Sequence, residues 1–393
     1  MESIKDKVAI VGMGCTKFGE LWDRGPYDLM VDACYEAFED AGIESKDIQA
    51  AWFATLFTGF TGARLATALK LEYIPISRVE NYCSGGLTAL ANACYAVASG
   101  AYDIVLVCGV EKLKDAQNSA GWSSNEPFCS SKAVLNIPPP NMFAQLALRN
   151  FYRRGWDLEK GKRILAQIAV KNHHNGTLNS KAHLRREITV EQVLKAPMIV
   201  SPYGLYDCCG VSDGAAAAIV VRSDMAKSFN KDYVLIKGVG FSSGAGQPLL
   251  QDDDDFIHIR ENIVAARLAY EQAGIKNPRK EIDLAEVHDC FTFHELLLYE
   301  ELGFSPEWKA PEDIEAGTFT LGGELPVNTD GGLKCFGHPI SASGLRMTYE
   351  IYKQFQDKAG PRQVKNARLG VAHNCGGFMG YFNAGVVVCG RSG

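Results

Sequence analysis

Cys83 lies in Val79-Glu80-Asn81-Tyr82-Cys83-Ser84-Gly85-Gly86, with an Ala-rich run from Leu87 to Ser99 behind it. A β-branched and aromatic stretch breaks at the Ser-Gly-Gly turn, and helix formers follow at once. The thiol is therefore expected at a helix start, where unpaired backbone N–H groups and the positive dipole end favour a thiolate. A free cysteine with a pKa of ~8.5 is mostly protonated at neutral pH, and this position is one way to lower it. The competing reading is a buried structural cysteine. Three further polar clusters fall at expected turns: Glu286-Val287-His288-Asp289-Cys290-Phe291 at a strand end, Cys335-Phe336-Gly337-His338-Pro339-Ile340-Ser341 before a helix, and His373-Asn374-Cys375-Gly376-Gly377. In doubly wound folds, ligand chemistry gathers at the carboxyl ends of strands. A nucleophilic cysteine with two histidines and two more cysteines at such positions forms a coherent set. Taken singly, each histidine is as readily a hydrogen-bonded structural residue; taken with Cys83, the set reads as catalytic.

The elements that must position these residues repeat along the chain. The amphipathic helix Asp32–Ile43 ends in Ala-Gly-Ile, and Ala265–Ile275 has the same spacing and stop signal. A strand precedes each, Val8–Val11 and Val234–Val239, and a short apolar strand follows, Ala50–Thr55 and Leu284–His288. Later in each half a Gly-marked turn opens another helix, Ser84–Ser99 and Ser341–Gln354. Strands then close each half, Ile104–Val107 with Ala215–Val221, and Leu369–Ala372 with Ala384–Cys389. Such alternation with apolar strands predicts a parallel, helix-covered sheet in each of two duplicated halves. Gly12-Met13-Gly14 reads as a turn after the first strand, and it lacks the third glycine and the helix of a dinucleotide fingerprint. Between Lys112 and Cys209 the pattern stops. Pro138-Pro139-Pro140, helix-like Asn141–Phe151 and Ile164–His174, and scattered Trp and Phe mark an insertion carried by the first half. The expected division is 1–111 with 210–228, an inserted region 112–209, and 229–393, the charged segment Ser223–Tyr233 linking the halves.

Composition bounds the function. The chain has 393 residues, 47% hydrophobic, and a formal charge of −6, which is more than one core usually serves. Mild acidity without a basic run interleaved with aromatics argues against nucleic acid. Lys162-Arg163 and Arg185-Arg186 read as solvated faces, and the acidic run Asp252–Asp255 as a solvated loop or a partner contact. Twelve cysteines without Cys-x-x-Cys or zinc-ribbon spacing suit a reducing cytoplasm rather than a metal site. The start of the chain lacks a signal-peptide apolar region, and no stretch approaches ~20 uninterrupted apolar residues. The expectation is a cytoplasmic protein without a membrane or nucleic-acid partner.

Asn-Tyr-Cys-Ser-Gly-Gly, His-Asp-Cys-Phe, Gly-His-Pro and Cys-Gly-Gly, in this order across essentially the whole chain, resemble the thiolase superfamily. The His-Asp-Cys-Phe form is similar to sterol-carrier-protein-type and archaeal-type thiolases. The resemblance implies two duplicated βαβαβαββ halves in a five-layer αβαβα sandwich, with a loop domain inserted in the first half. It implies that Cys83 accepts the acyl group and that His338 helps activate it. His338 and His288 would form an oxyanion hole for the thioester enolate, and the N–H groups of Cys83 and Gly377 a second one for the tetrahedral intermediate. The acid/base thiol is Cys375 by one branch of the family and Cys290 by another, and this chain has both. Coenzyme A is the implied co-substrate, with no tightly bound cofactor, and the reaction is thiolytic cleavage of a 3-oxoacyl-CoA or its Claisen reverse. The resemblance also implies a homodimer along an edge strand and a separate zinc-ribbon/OB-fold accessory subunit. Tyr203–Gly214 resembles a segment in thiolases of anaerobic aromatic degradation, which suggests benzoylsuccinyl-CoA as substrate. Trp122, Phe128, Met142, Phe143, Phe151, Tyr152 and Trp156 would then line an acyl pocket, or else form the insertion's core. An acetoacetyl-CoA-forming thiolase, a hydroxymethylglutaryl-CoA or ketoacyl synthase and a non-catalytic acyl-CoA carrier are the alternatives.

Overall fold

The computed structural model describes residues 3–115, 138–246 and 256–392. Trp122, Phe128 and Asp252–Asp255 lie outside them. In chain order the elements are β1 (Val8–Cys15), α1 (Pro26–Ala41), β2 (Ala50–Ala54), α2 (Ala63–Leu69), β3 (Ile76–Val79), α3 (Gly85–Ala98) and β4 (Ile104–Glu111). The insertion contributes α4 (Pro139–Arg154), α5 (Leu158–Thr177), α6 (Val190–Leu194) and a small hairpin, β5 (Met198–Val200) with β6 (Tyr203–Gly204). Then come β7 (Gly214–Arg222), β8 (Val234–Ser243), α7 (Arg260–Ala273), α8 (Pro278–Glu281), β9 (Leu284–Glu286), α9 (Thr292–Glu301) and α10 (Ala310–Glu315). The chain closes with α11 (Gly332–Phe336), α12 (Ile340–Phe355), β10 (Leu369–Gly376) and β11 (Asn383–Arg391). Among the described residues no helix is long and apolar enough to cross a membrane.

Apart from the β5–β6 hairpin, the strands form one sheet in the order β3-β2-β4-β7-β1-β8-β11-β10-β9. Its two halves meet where β1 pairs with β8 over Ala9–Leu235 and Ile10–Val234. The first half runs β3-β2-β4-β7-β1 and the second repeats it as β9-β10-β11-β8. In place of a fifth strand, Val327 makes a single parallel bridge to Ala285. The expected all-parallel sheet is corrected to a mixed one. Pairs β2–β3, β2–β4 and β9–β10 are parallel, whereas β1–β7, β4–β7, β8–β11 and β10–β11 are antiparallel. Connectivity explains this: β10 reaches β11 through residues 377–382 alone, too few for the crossover a parallel pair needs.

The duplication is physical as well as sequential. β1 is buried along its whole length, as a strand covered on both faces must be. Gly12 and Gly14 are not a turn but lie inside it, where a Cβ would run into the α1 backbone at Ala37 and Ala33. Gly238 and Gly240 of β8 face α7 at Ala269 and Ala265 in the same way. Between the two half-sheets, α3 and α12 pack on each other and on strands of both halves. Gly86 admits the Ser341 carbonyl, and Gly344 admits Leu87. The resulting layers are α1, sheet, α3 with α12, sheet and α7, the expected five. From the insertion, α5 packs on α9, α10 and α11 of the second half.

Candidate active site

Cys83 sits in the turn between β3 and α3. Ser84 N–H donates to Asn81 O (3.2 Å) and Gly85 N–H to Tyr82 O (3.0 Å). This tight turn holds Tyr82 at φ +49°, a strained value for an aromatic residue. The thiol is 7% exposed. Burial pushes its pKa well above the ordinary range, and the nearby Cys209 adds to this. Desolvation thus works against the thiolate expected at the helix start.

Two histidines stand beside Cys83. Cys83 Sγ and one ring nitrogen each from His288 and His338 lie within 4.8 Å of one another, and the two rings meet edge to face at 5.1 Å. Ser343 donates its hydroxyl proton to Pro339 O (3.2 Å), so it accepts from His338 Nδ1 at 2.8 Å. With the hydroxyl so turned, Nε2 carries the lone pair, and that atom is buried without a hydrogen-bond partner among the described residues. Burial, with His288 and Arg346 adding, holds His338 well below the usual imidazole range. His288 is pushed down to about 3 by burial. Its Nδ1 meets Asn374 Oδ1 at 2.6 Å, while Asn374 Nδ2 points at Met347 Sδ at 3.5 Å. Turning that amide over would place the His288 proton on Nε2, towards Cys83 and His338. Asn374 thus selects whether His288 accepts or donates in the site.

Cys290 and Cys375 arrive from opposite elements and meet at one residue that the motif pattern did not single out. His294, buried in the first turn of α9, has Nδ1 3.7 Å from Cys290 Sγ and Nε2 3.5 Å from Cys375 Sγ. Its only sequence signal is the four-residue step from Cys290. Burial raises both thiols well above their ordinary range and lowers His294 well below its own. The ligand atoms of His288, Cys290 and His294 also lie within 4.8 Å of one another.

The glycines bring the strands together. Gly376 ends β10 directly against Cys83, where a Cβ would lie 2.8 Å from the Cys83 Cβ. Gly377 follows at φ +127°, a region reserved for glycine. The frame around them is polar and buried. Asp289 accepts from the N–H groups of Leu333 (2.6 Å) and Lys334 (3.1 Å) and from Asn172 of α5 (2.9 Å). Glu111 binds the 55–58 turn through Leu56 N–H (2.5 Å), Phe57 N–H (3.2 Å) and Thr58 Oγ1 (2.7 Å). Segment 203–214 braces the motifs: Cys209 N–H donates to Cys290 O (2.8 Å), and His338 N–H to Gly210 O (2.9 Å). Leu56, Leu113 and Ile340 pack against Cys83. Of the bulky residues expected at an acyl pocket, Met142, Phe143 and Phe151 are buried core, Trp156 packs against that core and Tyr152 is exposed. Phe143 covers His294 at 4.9 Å and Phe291 at 5.0 Å.

Two family models match: "Thiolase, N-terminal domain" over residues 8–224 and "Thiolase C-terminal domain-like" over 244–391. An acetyl-CoA acetyltransferase of Methanothermobacter thermautotrophicus is 37% identical over 95% of this chain and 97% of its own. One from Methanocaldococcus jannaschii is 36% identical over 97% of each. Sterol carrier protein 2 of Gallus gallus is 30% identical over 94% of this chain and 70% of its own. Among solved structures, the Ltp2-ChsH2(DUF35) aldolase superposes with a TM-score of 0.86 at 26% identity, covering 99% of both chains. The fold, the paired domains and the related acetyltransferases agree: this chain is an acyltransferase of the thiolase family, of the sterol-carrier-protein type.

Proposed function

We propose that this enzyme cleaves a 3-oxoacyl-CoA with free coenzyme A through an acyl-Cys83 intermediate. The observation that carries the reading is the buried Cys83 thiol grouped with a ring nitrogen each of His288 and His338, with His338 Nε2 buried and without a hydrogen-bond partner among the described residues. His338 takes the thiol proton as Cys83 attacks the 3-oxo carbonyl. The N–H groups of Cys83 and Gly377 hold the developing oxyanion. The Cα–Cβ bond breaks, and the leaving enolate of the CoA thioester is held by His288 and His338 and protonated from Cys290 or Cys375. A fresh CoA thiol then removes the acyl group, with ping-pong kinetics. A retro-aldol cleavage, as the name of the aldolase neighbour would suggest, has no need of an acyl-accepting thiol with its own base.

For the substrate we favour a bulky aromatic acyl group such as that of benzoylsuccinyl-CoA, on the likeness of segment 203–214 to aromatic-degradation thiolases; the related acetyltransferases make acetoacetyl-CoA the competing substrate. The two-part name of the aldolase neighbour, with its DUF35 component, supports a small separate accessory subunit. The position of β3 at the sheet edge supports a homodimer, and we place the enzyme in the cytoplasm.

The test incubates the chain, alone and with a neighbouring zinc-ribbon protein, with acetoacetyl-CoA, long straight-chain 3-oxoacyl-CoAs and benzoylsuccinyl-CoA plus CoA. Products are read by mass, and Cys83→Ser is the control. Cleavage that disappears in the control establishes thiolysis and names the substrate. No cleavage of any member would shift the assignment to a condensing synthase or a carrier.

A further inference from the structure

His294 is the feature of the site that the thiolytic scheme leaves unused. It is fully buried, roofed by Phe143 at 4.9 Å, and each of its ring nitrogens meets a different cysteine. A neutral imidazole has one N–H and one lone pair. Held between two thiols, it must donate to one sulfur and accept from the other, so the two thiols cannot be equivalent at any instant. The ring can exchange these roles without turning, by passing one proton in at one nitrogen and one out at the other.

We propose that His294 joins Cys290 and Cys375 into a single acid/base relay, so that both cysteines serve the carbon acid step. The proposal rests on the thiolase reading above. The thiol nearer the enolate gives its S–H proton to the carbanion, a C–H bond forms, and a thiolate remains. His294 restores that thiol with its N–H proton and takes the S–H proton of the other cysteine at its opposite nitrogen. The net change is one proton delivered to carbon and one negative charge moved to the far sulfur, where it accepts no further bond from the substrate. In the reverse direction the same steps remove an α-proton. Burial lowers the His294 pKa and raises those of both thiols, which favours the uncharged form of the relay.

This arrangement separates two reactions that a merely structural histidine would not separate. Acyl exchange between an acyl-CoA and Cys83 needs no proton at carbon, whereas exchange of the α-hydrogens of acetyl-CoA with D2O does. The experiment measures both, by mass of the Cys83 peptide and by deuterium incorporation, in wild type, His294→Gln, His294→Phe, Cys290→Ala, Cys375→Ala and the doubles with His294→Gln. Glutamine keeps hydrogen-bonding capacity but conducts no proton, and phenylalanine keeps the ring shape. The relay expects His294→Gln and His294→Phe to leave Cys83 acylation within about twofold while slowing deuterium exchange about tenfold or more. It also expects removal of the far cysteine to cost nothing further once His294 is gone. Exchange at the wild-type rate in His294→Gln, or equal loss of both reactions in both His294 variants, would overturn the relay. A wild-type protein that neither acylates Cys83 nor exchanges would instead bring down the thiolase reading and the relay with it.

Discussion

At the scale of single residues, the proposed mechanism moves protons between groups whose charged forms burial disfavours. In that mechanism Cys83 gives its proton to His338 Nε2, which is free to accept it when Ser343 accepts at Nδ1. Two substitutions follow at different strengths. His338→Ala removes both the base and an enolate donor and is expected to lower kcat by roughly 100-fold or more. Ser343→Ala removes only the hydrogen bond at Nδ1, worth about 1 kcal/mol, and is expected to slow acylation by roughly three- to tenfold. Burst amplitude and rate of Cys83 acylation, followed by mass, check both. Equal rates in Ser343→Ala and wild type would show that the tautomer is set by something other than Ser343. Cys83, His338 and Cys375 stand out in the sequence because glycine or proline flanks them, and His288 and Cys290 because they share one short polar motif at a strand end. Asn374, Ser343 and His294 stand out less. What each does depends on a partner brought from another element, or on a ring seen edge-on, and linear spacing does not encode that.

At the scale of elements, the same limit explains what was misread. The apolar runs and the Ala-Gly-Ile helix stops were sufficient to find the strands and helices of the repeat, because burial on both faces leaves a continuous apolar signal. Strand direction left no such trace: it is set by how β7 and β11 return to the sheet, and those connections carry no periodicity. Gly12 and Gly14 looked like a turn because glycine usually marks one. Here they clear space for α1, as Gly238 and Gly240 do for α7. If the halves are mechanically equivalent, Gly12→Ala and Gly238→Ala, which meet corresponding turns of α1 and α7, should destabilise by similar amounts, about 1–3 kcal/mol each, through overpacking of helix against strand. Chemical denaturation with an unchanged m-value checks this. A cost at one position only would mean that one half yields to the added methyl and the other does not.

At the scale of the whole molecule, the price of placing a titrating site in a closed interior is sensitivity to acid. His173, His288, His294, His338 and His373 all have their protonation suppressed by burial, His288 to about 3 and His173 to about 4. In the unfolded chain they return to an ordinary value of ~6.5. Between that value and their folded values, the unfolded state binds more protons, so stability falls as pH falls. The buried carboxyls act with the opposite sign. Glu111, Asp207, Glu286, Asp289 and Glu301 are raised by burial, Asp289 to about 6, so the native state gains protons that the unfolded state takes up only near pH ~4. Asp289, at about 6, takes up its proton below the ordinary imidazole value, so the histidines act before it on acidification. The thermal midpoint should therefore drop between pH 7.5 and 6, and then fall less steeply between pH 6 and 4.5 as the carboxyls take up protons. A series of scans at constant ionic strength checks it. A midpoint that is flat or rising from pH 7.5 to 6 would mean that the imidazoles are hydrated in the native state, and with them the cavity in which Cys83 must react.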